Sequence, residues 1–158
     1  MDLARLTCPV RKATVSALPE ERVRVQLLYD LIEKLEFPAS SISVEKELSQ
    51  IPHLRSLVGT LPTRRIDILC FAKDIHPTEE FYPLLVIECK AVKLTSKMVR
   101  QVVGYNHYLK APYIALVNQE EIRFGWYDVS KGMYMFASHL PTYHQLLQYA
   151  QKKLPQNP

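Results

Sequence analysis

Three segments of the chain have the helical spacing, in which apolar residues recur at intervals of three and four. They run from Pro19 to just before Pro38, from about Thr95 to Leu109, and from about Thr142 to Lys153. The first begins with a proline and two glutamates, which favour a helix N-terminus because of the fixed φ of proline and the helix dipole. Residues 1–18 show no clear period, and we expect them to form an extended or loosely packed arm.

Shorter runs of apolar and β-branched residues predict strands. These runs are Ile42–Leu48, Arg64–Phe71, Tyr82–Lys90, Tyr113–Val117, and the two arms of a hairpin, Ile122–Val129 and Met133–Phe136. Residues 49–62, with two prolines and a glycine, are expected to form a connection with one short turn. The element order is α-β-β-β-α-β, followed by a hairpin and a helix. It predicts an α/β fold with one mixed sheet and flanking helices on both faces. We expect a single domain over residues 1–158, with its core at about 19–127.

Composition restricts the class of protein. Hydrophobic residues make up 47% of the chain and charged residues 23%, which excludes disordered, collagen-like and coiled-coil proteins. No apolar run approaches the ~20 residues of a membrane span, and the first residues do not resemble a signal peptide. We therefore expect a cytoplasmic protein without a membrane partner. Cys8, Cys70 and Cys89 lie too far apart for a zinc pattern and are expected to be reduced, the last two as small core residues.

The net charge of +4 permits a polyanionic partner without requiring one. The four glycines do not form a phosphate-binding loop, so nucleotide hydrolysis by this chain is not expected.

Two acidic residues stand within predicted apolar strands, where an unpaired carboxylate is costly. Asp67 follows Arg65-Ile66, and Glu88 precedes Cys89-Lys90. Because side chains alternate along a strand, Glu88 and Lys90 point to one face and Cys89 to the other. Asp67 and Glu88 could together bind a hard cation such as Mg²⁺, and Lys90 could then orient or activate a water molecule.

A purely structural interpretation of the same residues is open. In it, Glu88 and Lys90 form a buried ion pair at the end of the strand, and Arg65 pairs with Asp67. Structural ion pairs also place charges in such positions.

The second predicted helix adds polar groups near this strand end. Gln101 shares a helix face with Met98 and Tyr105, which directs it toward the sheet or its edge. Lys93, Lys97 and Arg100 form a neighbouring basic ridge that could contact nucleic-acid phosphates. In the first helix, Glu20 and Glu21 lie at opposite margins of the apolar stripe, and periodicity does not choose between them.

Together these motifs resemble the N-terminal nuclease domain of type I restriction enzyme R subunits, a member of the PD-(D/E)XK nuclease superfamily. The resemblance covers about residues 19–127. It rests on Pro19-Glu20-Glu21-Arg22-Val23-Arg24, Arg65-Ile66-Asp67-Ile68, Val86-Ile87-Glu88-Cys89-Lys90-Ala91 and Gln101-x-x-x-Tyr105-Asn106. It implies a restriction-endonuclease-like α-β-β-β-α-β core and Mg²⁺-dependent hydrolysis of DNA phosphodiester bonds, with Mn²⁺ as a substitute. Ile66 replaces the proline in the name of the superfamily, and Asn118-Gln119 replaces the usual Asn-Gly turn.

The resemblance also implies roles for individual residues. Asp67 and Glu88, with the backbone carbonyl of Cys89, would bind the metal, and Lys90 would be the catalytic lysine. Gln101 would belong to the Gln-x-x-x-Tyr motif, and Glu21 would be the first-helix glutamate. Lys93, Lys97, Arg100 and Arg65 are the expected DNA contacts.

The domain of this family is normally fused to an ATP-driven DNA motor, so a separate motor or specificity protein is an expected partner alongside DNA. The alternative function is a non-catalytic nucleic-acid-binding or assembly module that retains the nuclease fold.

Overall fold

The computed structural model of the protein describes residues 4–153. In chain order its strands and helices are β1 (Arg5–Cys8), β2 (Ala13–Ser16), α1 (Pro19–Glu33), β3 (Ile42–Glu47), β4 (Arg65–Lys73), β5 (Phe81–Cys89), α2 (Ser96–Leu109), β6 (Tyr113–Val117), β7 (Ile122–Asp128), β8 (Met133–Ala137) and α3 (Tyr143–Lys153). Short 3₁₀ turns cover Ala39–Ser41, Leu48–Gln50 and Pro52–Thr60. The segments expected at residues 1–3 and 154–158 lie outside the described residues.

The main element is a six-stranded sheet in the order β3-β4-β5-β6-β7-β8. Neighbouring strands are antiparallel except β5 and β6, which are parallel and are joined by the crossover helix α2. Helices α1 and α3 cover one face of the sheet, and α2 covers the other. The expected α/β class, mixed sheet and two-sided helix coverage are confirmed, because β4 and β5 have an apolar cluster on each side.

The ends of α2 show why this segment is helical. The Thr95 side chain accepts a hydrogen bond from the backbone N–H of Met98 at 3.3 Å, which caps the first turn. At the other end Lys110 has a left-handed φ of 56°, and its N–H donates to the carbonyl of Asn106. The buried Asn106 side chain bonds both the N–H and the carbonyl of Ala111 at 2.8 Å. These contacts fix the turn from α2 into β6.

The expectation of an extended or loosely packed arm at the N-terminus is wrong for the described residues. β1 and β2 form an antiparallel hairpin, and Cys8 at the end of β1 is fully buried against the core that includes α1. The Tyr29 hydroxyl of α1 donates to the carbonyl of Thr7 at 3.1 Å. The spacing of apolar residues does not predict the hairpin, because each strand has only four residues.

The structure bears on two further expectations. Cys70 and Cys89 are buried in the core, as expected, and burial raises the pKa of both thiols. Among residues 4–153, no helix is both long enough and apolar enough to cross a bilayer.

Candidate functional site

The sheet register brings Asp67 and Glu88 together. Ile68 of β4 pairs with Ile87 of β5 in an antiparallel register, so the preceding Asp67 lies opposite the following Glu88. The backbone N–H of Cys89 donates to Asp67 Oδ2 at 2.8 Å, which holds the aspartate against the end of β5. Asp67 and Glu88, which are 21 positions apart in sequence, therefore lie side by side on two neighbouring strands.

Side-chain alternation is interrupted next to Asp67. Ile66 belongs to the apolar cluster on the α2 side, whereas Ile68 belongs to the cluster on the α1 side. Regular alternation would place both on the same face. Glu45 of β3, opposite Asp67 in the register, has a left-handed φ of 53° that non-glycine residues rarely adopt. This distortion lets Asp67 reach both Glu88 and helix α1.

Glu88 is the most deeply buried carboxyl group of the site. Its residue is 7% exposed, and its Oε1 is buried without a hydrogen-bond partner. Burial raises the pKa of Glu88 to about 8, and the negative charge of Asp67 acts in the same direction. Lys90 opposes this shift without abolishing it. The buried position and the neighbouring charge of Asp67 therefore favour the protonated form of Glu88.

Arg24 of α1 bridges the remaining acidic groups. Its guanidinium donates to Asp67 Oδ1 at 3.2 Å and to Glu45 Oε1 at 3.1 Å, and it also pairs with Glu21. The Arg24 side chain is only 9% exposed. Burial alone would lower the pKa of Arg24, but Glu21, Asp67 and Glu45 together raise it above its ordinary value.

Arg11, in the turn of the β1–β2 hairpin, reaches the same cluster. Its guanidinium pairs with Glu21 and lies 3.8 Å from Glu45 Oε2. Burial would raise the pKa of Glu21, but Arg24 and Arg11 hold it below its ordinary range. We call the four carboxyl groups of Glu21, Glu45, Asp67 and Glu88, with Arg11 and Arg24, the acidic cluster.

The structural interpretation left open by the sequence does not describe these contacts. Arg65 is exposed and lies 3.6 Å from Glu47, and Asp67 pairs with Arg24 instead. Glu88 and Lys90 are not joined by an ion pair, and Glu88 Oε1 has no hydrogen-bond partner. The choice between the two first-turn glutamates is settled by position: Glu21 lies in the acidic cluster, and Glu20 is exposed.

Gln101, Lys97 and Arg100 lie on α2, and Lys93 lies in the loop that precedes it. Gln101 is half-buried on the helix, and the basic ridge of Lys93, Lys97 and Arg100 is exposed to solvent. A polar cleft of about 410 Å³ adjoins this end of the sheet, between residues 91–93 and residues 118–121. Another cleft, of about 470 Å³ beside α1, is not lined by any of the predicted catalytic residues.

The donor set fits a single hard divalent cation. Mg²⁺ is usually bound by one or two carboxylates and keeps several water or phosphate ligands. Asp67 and Glu88 supply two carboxyl groups, and the partnerless Glu88 Oε1 is a buried oxygen that a cation would satisfy. Within residues 4–153 no group of three or more His, Cys, Asp or Glu side chains has metal-binding geometry, so an all-side-chain cage is not formed.

Comparison with family models matches residues 19–141 to the type I restriction enzyme R protein N terminus. The chain belongs to this family. Searches among curated proteins and among solved structures returned no match. The resemblance expected from the sequence is thus confirmed, with the PD-(D/E)XK superfamily as its wider context. Membership in the R protein N-terminus family indicates a nuclease-related role.

Three members of the acidic cluster were not expected from the sequence. Arg24 had a detectable signal, because it lies three and four residues before Leu27 and Leu28 and so occupies the apolar stripe of α1. A charged residue at such a position requires a buried partner. Glu45 and Arg11 had no comparable signal, since their contacts depend on how separate segments meet.

Proposed function

We propose that the chain is a divalent-cation-dependent nuclease that hydrolyses DNA phosphodiester bonds and has a restriction-endonuclease-like core. The observation that carries this proposal is the pairing of Asp67 with Glu88 across β4 and β5. Lys90 lies two residues after Glu88, just past the end of β5. Membership in a restriction-enzyme family supports it. So does the raised pKa of Glu88, which a bound cation would reverse.

Asp67 and Glu88 would hold the cation, with the backbone carbonyl of Cys89 as a further oxygen. A bound Mg²⁺ or Mn²⁺ would supply Lewis-acid stabilisation of the phosphate and a more acidic attacking water. Lys90 would orient that water and offset negative charge that develops on the phosphate. Glu21, through Arg24, would keep Asp67 in position, and Gln101 would contact the phosphate or the water.

The basic ridge at the start of α2 and in the loop before it would position the DNA. Lys93, Lys97 and Arg100 are exposed cations near the end of β5, and exposed Arg65 would add a further phosphate contact. Contacts of this kind fix orientation without reading sequence. A separate motor or specificity protein would then deliver the DNA.

The direct test incubates the purified chain with supercoiled plasmid and with single-stranded DNA, in Mg²⁺, Mn²⁺ or EDTA. We expect cleavage with either cation and none with EDTA. Asp67→Asn and Lys90→Ala should abolish cleavage, and Lys90→Ala should leave DNA affinity within about threefold because it removes a group used mainly in the transition state. Lys34→Ala, an exposed lysine on the far end of α1, is the matched control and should cleave as the wild type does.

Binding and cleavage should also separate by mutation. Neutralising Lys93, Lys97 and Arg100 together should weaken DNA binding and flatten its salt dependence, because fewer counterions are released. Titrations at several salt concentrations measure this slope. An unchanged slope would place the DNA elsewhere on the surface.

One observation favours the alternative of a non-catalytic module. Arg24 and Arg11 already pair with Asp67, Glu21 and Glu45, so most of the acidic cluster is neutralised without a metal. A wild-type chain that binds DNA but leaves every substrate uncut in both cations would establish this alternative.

A further inference from the structure

The β1–β2 hairpin lies outside the family-matched segment but contacts the candidate site. The match begins at residue 19, whereas the hairpin ends at Ser16. Cys8 is fully buried, and Leu6, Val10 and Val15 pack against the core cluster that contains α1. The hairpin is thus a built part of the fold rather than an appendage.

The hairpin turn gives the Arg11 side chain one orientation. Lys12 takes a left-handed φ of 51° and its N–H donates to the carbonyl of Cys8 at 2.8 Å, which closes the turn. Arg11 Nε donates to Cys8 Sγ at 3.1 Å, and the Arg11 backbone N–H donates to the same sulfur at 3.4 Å. With Nε held in this way, the terminal nitrogens are directed at Glu21 and Glu45.

From Arg11 the contacts continue without a gap to the proposed metal ligand. Glu21 binds Arg11 through Oε1 and Arg24 through Oε2, and Arg24 in turn binds Asp67. The Glu21 and Asp67 side chains are only 12% and 18% exposed, so solvent screens these charges weakly. A change at Arg11 therefore alters the field at Asp67.

The charge balance of the acidic cluster indicates how Arg11 would affect cation binding. At their formal charges the two guanidinium groups balance two of the four carboxylates, and one divalent cation would balance the other two. Removing one guanidinium leaves the cluster one negative charge in excess with the cation bound.

We propose that Arg11 is a positioning residue of the candidate site, which restrains Glu21 and sets the affinity of the site for divalent cations. This inference rests on the proposed cation dependence of the site. It assigns the hairpin a role in that site.

The experiment measures Mn²⁺ binding to the full chain by electron paramagnetic resonance, and measures the melting temperature in EDTA. Arg11→Ala should melt at a lower temperature but bind Mn²⁺ about tenfold more tightly, because one partly screened positive charge is removed from near a divalent ion. A merely structural defect would weaken both properties. Arg11→Lys keeps the charge and should retain the wild-type affinity. Arg5→Ala, an exposed arginine of the same hairpin, is the matched control and should change neither.

The outcomes separate this inference from the proposed function. Mn²⁺ affinity in Arg11→Ala that equals or falls below that of Arg5→Ala would overturn the role of Arg11 while leaving the nuclease proposal in place. Equal tightening in Arg11→Lys and Arg11→Ala would also overturn it, because charge would not be the cause. A wild type that binds no Mn²⁺, and whose melting temperature Mg²⁺ leaves unchanged, would remove the cation site itself and with it the proposed function.

Discussion

Replacing Arg24 with methionine removes the cation that joins α1 to β3 and β4. Methionine keeps much of the aliphatic length of arginine, so the loss of packing is small and the loss of charge dominates. Glu21, Glu45 and Asp67 would then face one another with only Arg11 to offset them. We expect a strong destabilisation of the cation-free protein at neutral pH.

The structure bounds the size of this effect. Breaking a fully buried ion pair by removing one partner costs about 3–5 kcal/mol. The side chains of Arg24, Glu21 and Asp67 are 9%, 12% and 18% exposed, so their pairs fall somewhat below this range. The pair with Glu45, whose side chain is 42% exposed, contributes less. A loss of about 2–4 kcal/mol is therefore expected. For a chain of this size it lowers the melting temperature by about 4–16 °C.

The assay is urea denaturation in EDTA at several pH values, with Arg22→Met as the control. Arg22 is an exposed arginine on the same helix whose Nε donates to the carbonyl of Ala17. In the wild type the pKa of Glu21 is lowered, so the stability it contributes is present above its unfolded pKa and is lost as the pH falls through the folded value. The gap between wild type and Arg24→Met should accordingly narrow in acid. A gap of the same size at pH 7 and in acid, or equal losses in Arg24→Met and Arg22→Met, would refute the ion-pair account.

Three further predictions concern single positions. In EDTA the wild type should lose stability as the pH rises from about 5 to 8, because the folded state keeps a proton on Glu88 that the unfolded chain releases. Thermal melts of Glu88→Gln should lack this fall of melting temperature with pH. Equal falls in both proteins would contradict the prediction. Asn106→Ala should lower the free energy of unfolding in urea by about 2–4 kcal/mol, because it leaves the N–H and carbonyl of Ala111 without partners. A loss under about 1 kcal/mol would show that water replaces the Asn106 amide. Gly125→Ala places a methyl group 2.6 Å from the Phe136 ring and should cost about 1 kcal/mol in urea unfolding. The same change in a Phe136→Ala background should cost less, because only the contact with Ile114 Cγ1 at 3.1 Å remains, and an equal cost in both backgrounds would contradict this account.

Most of the fold could be predicted from local sequence because its elements are long and periodic. The apolar run in β5 predicts a strand covered on both faces, and residues 84–87 are indeed fully buried. The helix α2 begins within one residue of its expected start, since Thr95 supplies the cap. The β1–β2 hairpin could not be predicted, because what stabilises its short strands is packing against α1 rather than any period of their own.

The candidate site could be predicted only in part, for a geometric reason. Asp67 and Glu88 are detectable because each is a carboxyl group in an apolar strand. The pairing of Asp67 with Arg24 could not be predicted, since it depends on the left-handed backbone at Glu45 and the interrupted alternation at Ile66. Regular alternation predicts Arg65 as the neighbour of Asp67, whereas in the structure Arg24 of α1 is that neighbour.

The parallel pairing of β5 with β6, set among antiparallel pairs in residues 4–153, has a consequence for the order of folding. Strands β3–β5 and β6–β8 are each consecutive antiparallel sets that can form from neighbouring segments, whereas the parallel contact requires residues 90–112 to cross over first. Every carboxyl and guanidinium group of the acidic cluster lies at or before residue 88. We therefore expect the acidic cluster to form with the first antiparallel set, and Lys97 and Arg100 of α2 to take their places only when the crossover completes the sheet.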